Sequence, residues 1–487
     1  MIDRYKDTEI DQLCSEEKKL LHWQATELAV LKAMVQSSEI NMEDYERIEQ
    51  SLMKNPPDID WWKIKDKEIH HDLNAFLQER LRFIPKDLQR HFHKGMTSYD
   101  TEEPAFAKML IECAKIVEKH FFGLREVLKK MAVKYRYTVM YARTHGQGAM
   151  LQSFGKRCLT WLMDIDISFN TLKRTEGSLR FSKLSGAVGN YQGISPATEK
   201  TALDILGFKP QYGVTQIMPR ELYAPIAQAL CQIVATLNKM ALTIRLGARS
   251  GQPIYQEPFG RKQTGSSAMP HKKNTISTEQ VKGMYRMAKG YAGAIMENIE
   301  TWEERAIEQS CVERVFWPDL FHVTVRVFKV MKRVLGGLVV YPDNMWKEIY
   351  DSRGCYASNQ AKEILKEFVD VEDAYRIVQL AAFNAFEPKK EVMLIREKTP
   401  KSFNEEDELA MMDSDVFYEK PISIKEIILK GKLRVSPQLE VPEKKVKAWN
   451  KKLQEVFQNP ENIAYWDQIF RPSYLLKDEE TLYQQIL

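Results

Sequence analysis

Five stretches of this chain carry apolar residues at helical spacing over about 20 residues each, well beyond the usual helix of about 11–12, and that length restricts the fold most. The first runs Phe106, Met109, Cys113, Ile116, Phe121, Leu124, Val127 and Met131. The second is Phe154, Cys158, Trp161, Ile165 and Leu172, and the third runs from Ile226 to Leu246 without Gly or Pro. Val281, Met284, Ala288, Tyr291 and Ile295 form the fourth. The fifth is Leu320, Val323, Val327, Val330 and Val334, ended by Gly336-Gly337 and Pro342. At 1.5 Å per residue each rod spans about 30–40 Å. Rods of that length bury an apolar stripe only by packing lengthwise, which predicts an all-α long-helix bundle. A bundle from one chain leaves rod surface uncovered, which favours assembly with further copies.

Composition narrows the class. The 487 residues are 44% hydrophobic and 28% charged, as for a globular protein with a large core, and allow two or three domains. A formal charge of +4 is too small for a general nucleic-acid coat. The lysine-rich Lys444–Lys452 stretch reads as a solvated helix face, with RNA contact as the lesser reading. No run of about 18 apolar residues suggests a membrane span, and the charged start lacks a signal-peptide pattern. The six cysteines form no CxxC pair, so a reduced, cytoplasmic protein is expected. No strand leads into a GxGxxG, which disfavours a Rossmann unit. His91 and His93 lack further ligands at metal spacing, and the expectation is no metal.

Chemistry concentrates in Thr264–Glu279, TGSSAMPHKKNTISTE, between two of the stripes. A polar connector is the plain alternative, but a Gly-Ser start, a fixed Pro270 and then His271-Lys272-Lys273-Asn274 ahead of a helix is a dense set. Amides near a helix N-terminus and the Lys272 ammonium would attract an anion. Such a place could stabilise a carboxylate whose neighbouring carbon loses a proton, and a Ser there could act as nucleophile or base.

GSSAMPHKKN closely resembles the signature loop of the fumarase/aspartase superfamily, and His271 within it resembles the adenylosuccinate lyase branch. Further segments are similar to that branch. Met1–Met34 looks like its start, with Arg4-Tyr5 where the family contacts a phosphoryl-bearing part. His70-His71-Asp72 matches an RHD segment with His70 in place of Arg. GMTSYD at Gly95–Asp100 resembles the first superfamily signature, and ARTHGQ at Ala142–Gln147 the second. Thr215-Gln216 followed by Arg220, and Trp302–Asp319 with Arg305, Ser310 and Arg314, match substrate-side stretches. Residues beyond about 390 resist alignment.

The resemblance implies roles. Ser266 would be the general base and His145 the general acid protonating the leaving nitrogen. Lys272 and Asn274 would hold a carboxylate as it becomes a dianion, with His71 near the leaving group and Glu279 orienting a histidine. Thr97, Ser98 and Ser267 would bind carboxylate, while Arg4, Tyr5, His70, Asp72, Gln216, Arg305, Ser310 and Arg314 would line the substrate pocket. It further implies β-elimination of fumarate from a small succinyl-amino substrate, no cofactor, and a homotetramer with shared sites. Three parts are expected: a helical domain at 1–101, a central bundle at 102–341 and a helical domain at 342–487. Argininosuccinate lyase, a carboxymuconate cycloisomerase or a non-catalytic relative are the competing readings; a non-catalytic relative would be expected to lose Ser266 or His145. The chain departs from the pattern at Thr275, where relatives carry Pro, and at Ala306, Glu308-Gln309 and Cys311.

Overall fold

The computed structural model describes residues 1–387 and 422–487. The stretch Asn404–Asp415, whose acidic composition suggests a loop, lies outside them. The described residues form two compact units: Met1–Leu128, Trp161–Arg249 and Tyr255–Val339 in one, and Lys129–Thr160, Ser250–Ile254 and Val340–Leu487 in the other. The fold is all-α, with only short strand pairs.

In the first unit the chain enters through α1 (Thr8–Leu13), α2 (Glu16–Gln36), α3 (Met42–Lys54), α4 (Ile59–Ile69) and α5 (Asp72–Leu81). Local chemistry starts each one. Asp7, Ser15, Asn41 and Asp58 accept backbone N–H bonds at the first four N-termini, and His71 does so at the fifth. Trp23, Leu31, Ile48 and Phe76 bury together with Leu203 and Phe208, which flank the end of α8 (Pro196–Leu206). That helix opens on a Ser195 cap and stops at Gly207 with φ 85°.

All five stripes are helical: α6 (Ser98–Lys134), α7 (Phe154–Thr175), α9 (Ala224–Gly247), α10 (Ile276–Glu297) and α11 (Glu308–Gly336). The 37 residues of α6 correspond to about 55 Å of rod. Helices α9, α10 and α11 pack along one another through Ile226, Leu230, Ile233, Leu237, Met284, Ala288 and Val323. In α6 the most buried line is Ala107, Leu110, Cys113, Val117, Phe121 and Leu124. Phe106, Met109, Ile116 and Val127 of the expected stripe are half-buried beside it. The apolar face is broader than one line of residues, so spacing alone does not say which line lies deepest. Phe106 sets its ring edge-on to Trp317 of α11 at 6.2 Å, and Phe121 stacks on Phe169 of α7 at 3.8 Å.

The second unit holds a β-hairpin, β1 (Val139–Thr144) with β2 (Gln147–Ser153), absent from the sequence reading. Val139 and Leu151 of the hairpin bury with Ile349 of α12 (Pro342–Asp351). Gly148 lies under Tyr141: a Cβ there would sit 2.2 Å from the tyrosine ring, so a side chain at that place requires the ring to move. Helices α13 (Ser358–Leu365) and α14 (Val371–Phe386) and those at 424–429, 443–456 and 460–468 enclose Trp449, Trp466 and Phe470. The lysine-rich stretch is an amphipathic helix burying Val446, Trp449 and Leu453, with Lys445 paired to Asp373 and Lys447 to Glu443.

Cys113 and Cys158 are buried as small hydrophobes, and all six thiols are free. Among the described residues no helix is long and apolar enough to cross a membrane. Gly148→Ala should destabilise the protein by about 1–3 kcal/mol through the Tyr141 clash. A thermal melt read by circular dichroism would show the loss; an unchanged melting temperature would mean the ring moves freely aside.

Candidate active site

The turn before α6 is fixed by buried charge. Thr97 stands at the start of the helix, and Asp100 Oδ2 accepts its N–H at 2.9 Å, a capping-box geometry. Asp100 is fully buried and pairs with the equally buried Lys183, whose Nζ lies 2.8 Å away and also reaches the Gln216 carbonyl at 2.9 Å. Gly95 meets Gly193 backbone to backbone: a Cβ on Gly95, whose φ is 74°, would sit 2.0 Å from the Gly193 oxygen. Thr97 and Ser98 are thereby held half-buried, with their hydroxyls on a rigid helix start.

Next to this turn lie the arginines. Arg305 stacks its guanidinium over the Tyr99 ring at 4.2 Å and gives Nη1–H to Gln216 Oε1 at 3.1 Å. Gln216 is itself held by the Ala187 carbonyl. Arg314 donates from Nη2 to Asp72 Oδ2 at 2.7 Å. Asp72 is placed by Trp62, whose indole N–H donates to the Asp72 carbonyl at 2.9 Å. Ser310 is buried, its hydroxyl donating to the Ile307 carbonyl. A cleft of about 250 Å³ opens here, lined among others by Lys19, Trp23, Trp62, Asp72, Glu102, Ser310 and Arg314. His70 and His71 form the α4–α5 turn, both exposed and outside the cleft lining, with His70 in left-handed backbone at φ 51°. Arg4 and Tyr5 form a separate 3₁₀ turn at the chain start and do not line the cleft.

The Thr264–Glu279 loop folds back on itself. Asn274 donates to the Gly265 carbonyl at 2.7 Å, drawing the two arms together. Ser266 Oγ accepts the Met269 N–H at 3.1 Å and the Ala268 N–H at 3.4 Å. Bonds donated to an oxygen favour its anion, so this geometry lowers the cost of a Ser266 alkoxide. Ser267, His271 and Lys272 are exposed. Two of the first amides of α10 are already taken within the protein. Buried Glu257 takes the N–H groups of Ser277 and Thr278 at 3.0 and 2.8 Å and the Thr278 hydroxyl as well. Any anion stabilisation at this loop therefore falls to the loop amides and Lys272. Thr275 donates its hydroxyl to Glu279 at 3.3 Å, a bond that Pro could not make.

In the second unit, His145 and Gly146 are the two-residue tip of the hairpin, with φ of 51° and 78°. Both central residues at positive φ are the mark of a type I′ turn. His145 is exposed, and Arg143 anchors the arm below it through a fork to Glu348 of α12 at 2.9 and 3.2 Å. Thus Thr97, Ser98, Gln216, Arg305, Ser310 and Arg314 gather in one region of the first unit. The Ser266 loop is another feature of that unit, and His145 belongs to the other.

Four contributors escaped the sequence reading: Tyr99, Glu102, Lys183 and Glu257. Lys183 and Glu257 act across 83 and 20 residues of sequence, and no local pattern marks them. Tyr99 and Glu102 lie inside or beside the TS signature but differ in type from its hydroxyls. The Glu102 carboxyl is pushed up to about 8 by burial and by the Asp72 charge, against the pull of Arg314, Arg305 and Lys19.

The sequence model of the lyase family matches residues 9–290. The adenylosuccinate lyase of Aquifex aeolicus is 33% identical over 86% of this chain and 98% of its own length. That of Thermotoga maritima is 32% identical over 87% and 98%. The fumarate lyase of Mesorhizobium sp. BNC1 superposes with a TM-score of 0.74 at 18% identity, covering 96% of this chain and 99% of that one. The β-carboxy-cis,cis-muconate cycloisomerase of Acinetobacter calcoaceticus does so with 0.76 at 17%, covering 99% and 97%. At such identity the structural likeness bears on the fold alone.

Because Glu102 binds its proton more tightly folded than unfolded, its contribution to stability is highest below the usual carboxylate range and is lost as pH rises toward 8. Glu102→Gln should therefore raise the melting temperature at pH 8 and leave it nearly unchanged at pH 4.5, as a paired set of thermal scans would show.

Proposed function

The chain belongs to the lyase family, in its adenylosuccinate lyase branch, and on that premise we propose that it cleaves adenylosuccinate to AMP and fumarate. The succinyl-aminoimidazole-carboxamide ribotide of purine biosynthesis is proposed as a second substrate, split to its amide and fumarate. The observation that carries the reading is the match to relatives of that name across 98% of their length. The site's chemistry supports it: a hydroxyl gathered by two amides, a histidine on a rigid turn, and arginines beside a helix-start pair of hydroxyls.

In this reading Ser266 removes the proton on the carbon β to the leaving nitrogen. Electron density moves into the adjacent carboxylate, and the resulting dianion rests against Lys272, Asn274 and the hydroxyls of Thr97, Ser98 and Ser267. His145 then protonates the nitrogen as the C–N bond breaks, with His71 near the leaving group. The product pair balances: one proton leaves carbon for Ser266 and one reaches nitrogen from His145. A proton beside a carboxylate is only weakly acidic, so stabilising the dianion contributes as much as the base. Arg305, Ser310 and Arg314 would take the phosphoryl end, where a guanidinium fork suits a tetrahedral anion. Glu279, tethered by Thr275, would orient a histidine, and Arg4, Tyr5, His70, Asp72 and Gln216 would complete the pocket. No cofactor takes part.

A homotetramer is the assembly proposed, with sites completed by residues from more than one copy. What supports association is exposed apolar surface along the rods, at Phe122 of α6, Met163 and Ile167 of α7, and Leu242 and Leu246 of α9. The cytoplasm is the proposed compartment, with no nucleic-acid or membrane partner.

Two measurements test this. The purified protein should convert adenylosuccinate to equal amounts of AMP and fumarate while leaving argininosuccinate intact; turnover of argininosuccinate alone would overturn the substrate. Sedimentation equilibrium should give four times the 56.8 kDa chain mass, and a monomer active at every dilution would contradict the shared site.

A further inference from the structure

The guanidinium of Arg305 is only partly hydrogen-bonded. Its flat face lies on Tyr99 at 4.2 Å, and Nη1 is given to Gln216. Its Nε is buried with no hydrogen-bond partner. Tyr99 is 3% exposed, packed at the second residue of α6, directly after the Ser98 hydroxyl. Its own hydroxyl accepts from Gln309 Nε2 at 3.4 Å. Gln309 is 1% exposed, its backbone carbonyl held by Asn298, and its Oε1 also has no partner. Gln309 is one of the positions at which this chain departs from the family pattern. The departure thus falls on the residue touching the platform beneath Arg305.

Buried polar groups are nearly always paired, and each unpaired one costs stability, so the unpaired Nε of Arg305 leaves a donor of this guanidinium available. A guanidinium on an aromatic face keeps its plane fixed and its edge available, at low cost in side-chain freedom. Arg305 enters from the loop before α11, where backbone alone would not fix its plane, while Tyr99 is fixed by the long α6 rod.

Resting on the reading of Arg305 as a ligand of the substrate's phosphoryl end, we infer that Tyr99 is a positioning residue: its ring is the platform that holds Arg305 for that anion. Tyr99 touches no reacting atom. It therefore acts on binding of the phosphorylated substrate and leaves the elimination step alone. The aromatic face is what counts; the 3.4 Å hydroxyl bond is long and contributes little.

The test is steady-state cleavage of adenylosuccinate by wild type, Tyr99→Phe and Tyr99→Leu, with AMP inhibition measured beside it. The expected result is a KM raised roughly tenfold in Tyr99→Leu, with AMP inhibition weakened by a similar factor, and kcat within about twofold of wild type. Tyr99→Phe should restore KM to within about twofold of wild type, since it keeps the platform. If Tyr99→Leu fails to fold, Tyr99→Met removes the aromatic face and carries the same comparison. A fall in kcat at unchanged KM, or a Phe variant as weak in KM as the Leu variant, would overturn the inference while leaving the substrate assignment intact. No cleavage by wild type would remove the premise and the inference together.

Discussion

Lengthwise burial of apolar helix faces is the constraint on which the first unit of this protein depends. The lines Ile226–Ile244 on α9, Val281–Ile295 on α10 and Leu320–Val334 on α11 close on one another and leave little freedom in rotation or register. Because these helices are long and stiff, what projects from their ends is placed by the bundle. The TS turn is the beginning of α6, the Arg305 segment precedes α11, and the Ser266 loop precedes α10. Groups at rod ends sit near solvent while their backbones are fixed by a core built elsewhere.

Charge is treated differently in the core and at the site. Asp100 is matched by Lys183, Glu103 and Glu313 by Arg220, and Glu257 by the first amides of α10, so each buried carboxylate has a partner. Glu102 has no such ion pair among the described residues and is drawn up by burial and Asp72. Arg314 is held by Asp72, and an anion binding there would compete with that carboxylate. Matched pairs fix position; a crowded carboxylate and a partly satisfied Arg305 mark where binding energy remains to be gained.

Much of this was legible in the sequence, because long stripes and contiguous signatures are local information. All five stripes are helices, and Thr97, Ser98, Gln216, Arg305, Ser310 and Arg314 gather in one region of the first unit. The hairpin was missed because VMYART and QGAMLQS alternate weakly, and its turn depends on His145 taking positive φ, which is uncommon for a residue bearing a Cβ. The partner of the first α10 amides is not legible locally, because Glu257 stands 20 residues away. The deepest line of α6 was displaced by a residue at several turns, since a broad apolar face does not reveal which of two adjacent lines its neighbours cover. Tyr99 was passed over because an aromatic beside a signature looks like core until the stacked guanidinium is seen.

The central claim is that Ser266, its hydroxyl gathered by the amides of Ala268 and Met269, is the base that opens the elimination. The most direct measurement is adenylosuccinate cleavage by Ser266→Ala beside wild type, with thermal stability and AMP affinity recorded on the same preparations. A fall in kcat of about 10²–10⁴-fold, with stability and AMP affinity unchanged, is the predicted result. A variant that retains kcat within tenfold of wild type would contradict the claim and move the search for the base to another residue.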